Sequence, residues 1–254
     1  MEISAVIAGT TYRIDLTRPI DISVPVRFDG DGITVFGAPP AQREAFKSGN
    51  FMGDVSCGGS CNCELYTFSP HLHGTHTECV GHITNERIAV HDVMKDSFIP
   101  ATLVSVAPVK SAVNYDPQPQ VEDTMITKAA LQNALKQVEG FTDALIIRTN
   151  YTDAPPYFSH EAMKYINELG VKHLLVDMPS VDRLDDDGKL SNHRIFWAVA
   201  PGVKNATPPS PKTITELIKV PETAFDGIYI LNLQVAAFIC DAAPSRPLLY
   251  RVKP

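Results

Sequence analysis

The chain has 254 residues, of which 44% are hydrophobic and 20% are charged. This composition supports a sizeable core and excludes a disordered or collagen-like chain. The net charge is −7, from 22 basic and 29 acidic residues. Because nucleic-acid binding needs a basic surface that neutralises phosphates, we expect no nucleic-acid partner.

Targeting features and cysteine usage predict a cytoplasmic protein. The apolar runs fall short of the ~18 residues that a membrane-spanning helix needs, so we expect no membrane span. The chain starts Met1-Glu2-Ile3-Ser4, with no basic region ahead of a long apolar run, and we expect no signal peptide. Five cysteines, an odd number, then indicate reduced thiols.

The first half of the chain predicts short strands separated by loops. β-Branched residues are concentrated in four runs, a pattern typical of strands, at Ile3–Ile7, Tyr12–Leu16, Asp21–Val26 and Thr102–Ala107. Residues 29–62 are rich in Gly, Pro and small polar residues, which predicts a long loop of the kind that is often functional.

The second half changes to alternating helices and strands. Apolar side chains recur at helical spacing from Thr127 to Glu139, and Gly140 follows, so we expect a helix that ends at this glycine. Ser159 is a suitable N-cap for a second helix, which we expect to stop at Gly170.

Buried strands flank the second helix. They are predicted at Ala144–Ile147 and Val171–Val176, and a last strand is predicted at Gly227–Val235. A strand, a helix and a strand within so short a segment form a βαβ unit, so part of the sheet should be parallel. We therefore predict an α/β fold in which residues 1–254 form a single domain with a mixed sheet.

Histidines are concentrated in one segment. Of the eight in the chain, four lie within residues 71–82, in the string PHLHGTHTECVGH that covers residues 70–82. Imidazoles and a carboxylate at this close spacing suit Zn²⁺, Mn²⁺ or Fe²⁺. The alternative is a surface loop that is rich in histidine without binding a metal.

The spacing of these residues predicts which of them lie together. In an extended chain, residues two apart share a face, so His76, Glu78 and His82 point the same way. His71 and His73 have the opposite parity. One of them joins the cluster only if a turn or bulge at Gly74 redirects the chain.

The same string resembles the H-x-G-T-H-x-D-x-P-x-H motif of the metal-dependent cyclase-family hydrolases, which include bacterial kynurenine formamidase and isatin hydrolase. Further segments are similar, namely DISVPVRF near the start, SVD and NHRIFW in the middle, and the tail from TITEL to SRPLLY. The resemblance implies an α/β fold of the swivelling β/β/α type, with a mixed sheet or barrel-like core and flanking helices. It also implies a metal centre that is often binuclear, and a homodimer or larger assembly.

The resemblance implies roles for individual residues. His76 matches the second motif histidine, a metal ligand, and Glu78 stands where the family has a metal-bridging Asp. His82 matches the final motif histidine, which acts as general acid/base. His193 and Glu216 are the best matches for two further metal ligands that the family supplies later in its sequence.

Three motif positions differ in this chain. Leu72 stands where the first motif histidine is expected. We assign the first ligand to His71, which keeps the family's Pro-His pairing, and His73 is the alternative. Glu78 replaces an Asp, and its extra methylene moves the carboxylate by ~1.5 Å, which changes the expected spacing of two metals. Val80 replaces the motif Pro.

Together these features predict a metal-dependent amidohydrolase that carries one or two Zn²⁺ or Mn²⁺ ions per chain and acts on a small molecule. A metal-activated water attacks the amide carbonyl, and His82 transfers the proton. By resemblance, the first substrate candidate is an arylformamide such as N-formylkynurenine, from tryptophan catabolism. The alternatives are a cyclic amide such as isatin, a metal-dependent cyclase or lyase, and a metal-binding protein without catalysis.

Two aspartates are candidates to support the ligands. Asp177 and Asp182 follow the strand predicted at Val171–Val176, where α/β proteins place site residues. Either can hydrogen-bond a ligand histidine, and a role in a turn or helix cap is an equal alternative.

Overall fold

A computed structural model describes residues 1–110, 114–138 and 140–253 of the chain. The strands of the described residues are, in chain order, β1 (Glu2–Ile7), β2 (Thr10–Asp15), β3 (Ile20–Asp21), β4 (Gln42–Ala45), β5 (Lys47–Ser48), β6 (Phe51–Met52), β7 (Glu64–Thr67), β8 (His76–Glu78), β9 (Phe98–Ser105), β10 (Val109–Lys110), β11 (Thr124–Ile126), β12 (Ala144–Arg148), β13 (Tyr157–Phe158), β14 (His173–Val176), β15 (Thr213–Glu216), β16 (Gly227–Asn232), β17 (Ala242–Pro244) and β18 (Leu248–Lys253).

The helices are short. They are α1 (Pro70–His73), α2 (Val90–Val93), α3 (Lys128–Leu135), α4 (His160–Glu168) and α5 (Ser191–Trp197), with 3₁₀ turns at Val55–Cys57 and Val80–Ile83. The Ser159 hydroxyl accepts a hydrogen bond from the backbone N–H of Ala162, which caps α4 as the sequence predicts. Within the described ranges, no helix combines the length and the apolar character needed to cross a membrane.

Eleven strands form one mixed sheet. Its order is β1-β2-β18-β16-β9-β12-β14-β15-β8-β17, with β3 beside β18. The central strands β9, β12, β14 and β15 are parallel, whereas β16 and β8 pair antiparallel with the two outer members of this group. The predicted βαβ unit is β12-α4-β14, so the prediction of a mixed α/β fold is confirmed. Smaller sheets are β4-β7, β5-β6 and β10-β11-β13.

Both faces of the parallel strands are buried. Leu145 and Ile147 of β12 pack in an apolar cluster with residues of α3, α4 and α5. Ala144 and Ile146 pack in a second cluster on the opposite face, with residues of β16. The alternation follows from the period of two along a strand, and burial on both faces explains the uninterrupted apolar runs in the sequence.

Two element boundaries differ from the prediction for local reasons. The strand predicted at Asp21–Val26 stops at Asp21, because the Asp21 carboxylate accepts hydrogen bonds from the N–H and hydroxyl of Ser23 and so forms a turn. Helix α3 ends at Leu135 instead of near Gly140; Glu139, the last residue of that predicted helix, lies outside the described residues. A Cβ at Gly140 would lie 2.0 Å from Oγ1 of Thr102, so this glycine permits a close packing contact.

Differences also occur in the loop and at the end of the chain. The predicted loop over residues 29–62 contains the short strands β4, β5 and β6, and most of its side chains are exposed. The strand predicted at Gly227–Val235 is β16, which ends at Asn232. Two more strands, β17 and β18, follow it. β17 pairs with β8, and this pairing places the tail beside the histidine-rich segment.

Candidate metal centre

Strand β8 supplies two residues of the candidate site. It lies between β15 and β17, antiparallel to both, and its His76 is paired with Glu216 of β15. Because residues two apart share a face, His76 and Glu78 project together, and the register adds Glu216 beside them. Nε2 of His76 lies 3.6 Å from Oε2 of Glu216. Nδ1 of His76 lies 3.1 Å from the carbonyl oxygen of Gly74, which leaves Nε2 free to face the cluster.

The helical turn α1 separates the two candidates for the first ligand. His71 lies in the cluster, with its Nδ1 3.1 Å from Oε2 of Glu78. The ring nitrogens of His73 instead contact the backbone carbonyls of Ser69 and Pro39, at 3.1 and 2.9 Å. Residues two apart in a helical turn do not face the same way, so the turn brings His71 to Glu78 and directs His73 away.

His82 reaches the cluster by a different path. Strand β8 ends at Glu78, and His82 lies in the 3₁₀ turn Val80–Ile83. Its Nε2 is 3.9 Å from Oε2 of Glu78, and its Nδ1 is 3.3 Å from Oδ2 of Asp241. A tight turn, and not the alternation of an extended strand, therefore brings His82 close to Glu78.

Helix α5 contributes His193, and Asp182 holds it in place. Nε2 of His193 lies 3.0 Å from Oε1 of Glu78. Its Nδ1 lies 2.6 Å from Oδ2 of Asp182, and the backbone N–H groups of Asn192 and His193 also donate to this carboxylate. Asp182 thus serves both as a helix cap and as the partner of a candidate ligand, which orients Nε2 toward Glu78.

Asp177 does not take part in the cluster. Its carboxylate accepts hydrogen bonds from the backbone and hydroxyl of Thr149 and from the backbone of Asn150. It therefore stabilises the connection that follows β12, which is the turn role expected as its alternative.

Glu78 lies at the centre of the arrangement. Ligand-type atoms of three overlapping groups lie within 4.8 Å of one another, namely His71-His76-Glu78, Glu78-His82-His193 and His71-His82-Asp241. Two of the three groups share Glu78. Its Oε1 faces His193 and its Oε2 faces His71, so the two oxygens of one carboxylate contact different sets of histidines.

Several buried polar atoms of the cluster lack a hydrogen-bond partner. Within the described part of the chain, this holds for Nε2 of His76 and for both carboxylate oxygens of Glu78. Histidine nitrogens lie only 3.0 and 3.1 Å from Glu78, but without the alignment of a hydrogen bond. An unsatisfied buried polar atom costs about 1–3 kcal/mol. Short, unaligned contacts between imidazoles and a carboxylate are typical of atoms that converge on a cation, so these residues fit a divalent metal.

Electrostatics keep Glu78 in the form that a metal needs. Burial alone would raise the pKa of Glu78, but the neighbouring His82 and His193 outweigh burial and hold this pKa well below its usual range. Burial also opposes protonation of His71, yet Asp241 and Glu78 raise the pKa of His71 to about 10. Metal binding requires a deprotonated carboxylate and neutral imidazoles. Glu78 is therefore already in the state that a metal needs, whereas His71 has to release a proton when a metal binds.

The cluster opens to solvent on one side. The side chains of His76, Glu78 and His193 are at most 2% exposed, whereas those of His82 and Asp241 are 27% and 36% exposed. Water and small molecules therefore approach from the side of His82 and Asp241.

Sequence patterns did not indicate Asp241. It is separated from His82 by 159 residues, and no spacing rule relates the two positions. It lies directly before β17, whose pairing with β8 brings it to the cluster. The available signal was its place within the tail that resembles the family.

Comparison with known proteins adds independent findings. The model of a family described as "Putative cyclase" matches residues 14–183. A kynurenine formamidase of Bacillus cereus is 29% identical over 185 residues, which cover 70% of this chain and 76% of that protein. A kynurenine formamidase of Geobacillus thermodenitrificans is 25% identical over 183 residues, or 72% and 76% of the two chains.

A solved structure supports the fold. Isatin hydrolase A from Labrenzia aggregata superposes with a TM-score of 0.65 at 15% identity, over 93% of this chain and 94% of that one. The family model spans more than half of the chain and includes the whole histidine-rich segment, which confirms the resemblance seen in the sequence. This chain belongs to the cyclase family.

Proposed function

We propose that this protein is a metal-dependent amidohydrolase whose substrate is an arylformamide such as N-formylkynurenine. The observation that carries the proposal is the buried Glu78 carboxylate, which has histidine nitrogens on both oxygens and lacks a hydrogen-bond partner among the described residues. The kynurenine formamidase relatives and isatin hydrolase have in common the hydrolysis of C–N bonds other than peptide bonds, and the chain is a hydrolase of this class.

The residues that would hold the metal are His71, His76, Glu78, His193 and Glu216. Imidazoles and carboxylates without a thiolate favour Zn²⁺ or Mn²⁺. The two Glu78 oxygens face separate histidines, so Glu78 can be shared by two ions, and one or two per chain are compatible with the ligand set. When bound, a divalent metal lowers the pKa of water toward neutrality and polarises a carbonyl group.

His82 is the residue that we assign to proton transfer. Its Nδ1 contacts Asp241, and its Nε2 lies near Glu78 without reaching hydrogen-bond distance. It is also more exposed than His76 or His193, so a substrate that enters from solvent can reach it. Histidine, as a residue type that titrates near neutrality, is suited to take a proton from water and deliver it to the leaving nitrogen.

A substrate panel tests this function. Purified protein reloaded with Zn²⁺ or Mn²⁺ should hydrolyse N-formylkynurenine, and the chelated protein should not. Isatin tests the cyclic-amide alternative, and a set of hydroxy acids tests the cyclase or lyase alternative. Turnover of a hydroxy acid alone, or metal binding without turnover of any amide, would contradict the proposal. The His91→Ala variant, which changes an exposed histidine, is the matched control and should keep full activity.

We also propose that residues 1–254 form one domain and that the chain assembles as a homodimer or larger oligomer, as the family resemblance implies. Light scattering at micromolar concentration should give at least twice the 27.8 kDa chain mass. A particle of the single-chain mass would contradict the proposed assembly.

A further inference from the structure

Asp241 is a carboxylate that neither the motif nor the proposed ligand set explains. One of its oxygens, Oδ2, contacts two imidazoles, namely Nε2 of His71 at 2.9 Å and Nδ1 of His82 at 3.3 Å. Both contacts have the geometry of hydrogen bonds. The contacts to Glu78 do not, so Asp241 has hydrogen-bonding partners in its two histidines, although it also lies within reach of a cation beside them.

The backbone holds Asp241 rigidly at this position. Its carbonyl oxygen accepts a hydrogen bond from the N–H of Cys79 at 3.0 Å, and the following residue, Ala242, pairs with Glu78. A Cβ added at Gly81 would lie 2.2 Å from the carbonyl oxygen of Ile88 and 3.3 Å from Cβ of Asp241. Glycine is needed there for the close passage of Ile88, and it leaves the turn that carries His82 beside Asp241.

We propose that Asp241 is a positioning residue that orients His71 and His82 together. The two rings lie side by side, with centroids 4.3 Å apart and planes inclined by 31°, and both reach the same oxygen. Because a carboxylate accepts hydrogen bonds, the nitrogens that face Asp241 carry the protons. In neutral imidazoles, the form that a metal needs, this leaves Nδ1 of His71 and Nε2 of His82 as the acceptor nitrogens. Both of these nitrogens face Oε2 of Glu78.

The inference rests on the proposed function for the role of His82 in turnover. It has a separate consequence for metal binding through His71. Loss of a carboxylate that orients a ligand histidine typically lowers metal affinity or activity by about 10–100-fold. A residue that acts only through another should also show no independent effect when that other residue is removed.

The main test compares Asp241→Asn with Asp92→Asn, which makes the same charge change at an exposed position on α2. In a chelator competition, Asp241→Asn should bind Zn²⁺ about 10–100-fold more weakly with an unchanged number of ions per chain. Asp92→Asn should bind like the wild type. The loss of one ion would identify Asp241 as a ligand, and unchanged affinity would show that it does not orient His71. Either result overturns the proposal.

Two further measurements address His82. At saturating metal, Asp241→Asn should lower kcat with little change in KM, and it should have no further effect in a His82→Ala background. An equal loss in both backgrounds overturns the assignment. Nitrogen-15 spectra of labelled histidines in the Zn²⁺ form should show a protonated Nδ1 on His82 in the wild type and a mixture of tautomers in Asp241→Asn.

The spectra and the affinity measurement need no substrate. If the wild type hydrolyses no formamide, the proposed function fails, but these two measurements still test whether Asp241 positions the histidines. Asp241→Glu keeps the charge and should restore part of the affinity. This variant also serves as the comparison if Asp241→Asn does not fold, and affinity as low as that of an Asp241→Ala variant would then count against the proposal.

Discussion

Removal of the metal should lower the stability of the protein by several kcal/mol. Nε2 of His76 and both oxygens of Glu78 are buried without a partner in the described residues, and a cation that satisfies them contributes ~3–9 kcal/mol at about 1–3 kcal/mol per atom. Mass action gives a similar value, since a ligand at ~1,000 times its Kd stabilises the folded state by ~4.1 kcal/mol. For a chain of this size, ~1 kcal/mol shifts Tm by ~2–4 °C. Saturating Zn²⁺ should therefore raise the Tm of chelated protein by ~8–16 °C.

The assay is thermal unfolding of the chelated and reloaded forms, followed by fluorescence. The wild type and the exposed-site control His91→Ala should show the same increase in Tm. His76→Ala should show little or none, because we expect a variant without this ligand to lose the metal. Equal Tm values for the chelated and reloaded wild type, or a full increase in His76→Ala, would refute the reasoning.

Further outcomes are expected at four other histidines. His82→Ala should keep its metal and lose ~10²–10⁴-fold in turnover, or roughly 2.7–5.5 kcal/mol of barrier, in a steady-state assay; near-normal turnover would exclude proton transfer by His82. His71→Ala should weaken Zn²⁺ binding, whereas His73→Ala, in the same helical turn, should not; the reverse order would exchange the two assignments. Burial lowers the pKa of His173, so its stabilising contribution is present above pH ~6.5 and is lost as the pH falls toward its lowered folded-state pKa. Denaturant unfolding should show that, below pH ~6.5, the free energy of unfolding of the wild type falls by up to ~1.4 kcal/mol per pH unit relative to that of His173→Gln. The same pH dependence in both proteins would contradict this.

The local part of the site could be predicted from the sequence because it depends on periodicity. His76 and Glu78 are two residues apart and project together from β8, as the alternation of a strand requires. The redirection expected at Gly74 is also present, since α1 ends there and His71 faces Glu78. A Cβ on Gly74 would lie 2.9 Å from the carbonyl oxygen of Val24, so glycine is needed for this close passage.

The parts that depend on long-range pairing could not be predicted. The alternation of an extended strand predicts His82 on the face of His76, but the strand ends before His82 and a 3₁₀ turn brings it to Glu78. Asp241 enters the cluster only because β17 pairs with β8, and a single sequence contains no local signal for that pairing. The same reason explains why the tail was predicted to end in one strand, although β17 and β18 follow it.

The most direct test of the metal centre is the metal content of the purified protein, with its stoichiometry per chain. Elemental analysis of wild-type protein reloaded with Zn²⁺ or Mn²⁺ and then desalted should give one or two ions per chain. His76→Ala should lose metal, and His91→Ala should match the wild type. A wild-type protein that retains no divalent metal, or a His76→Ala variant that retains as much as the wild type, would contradict a centre built around Glu78.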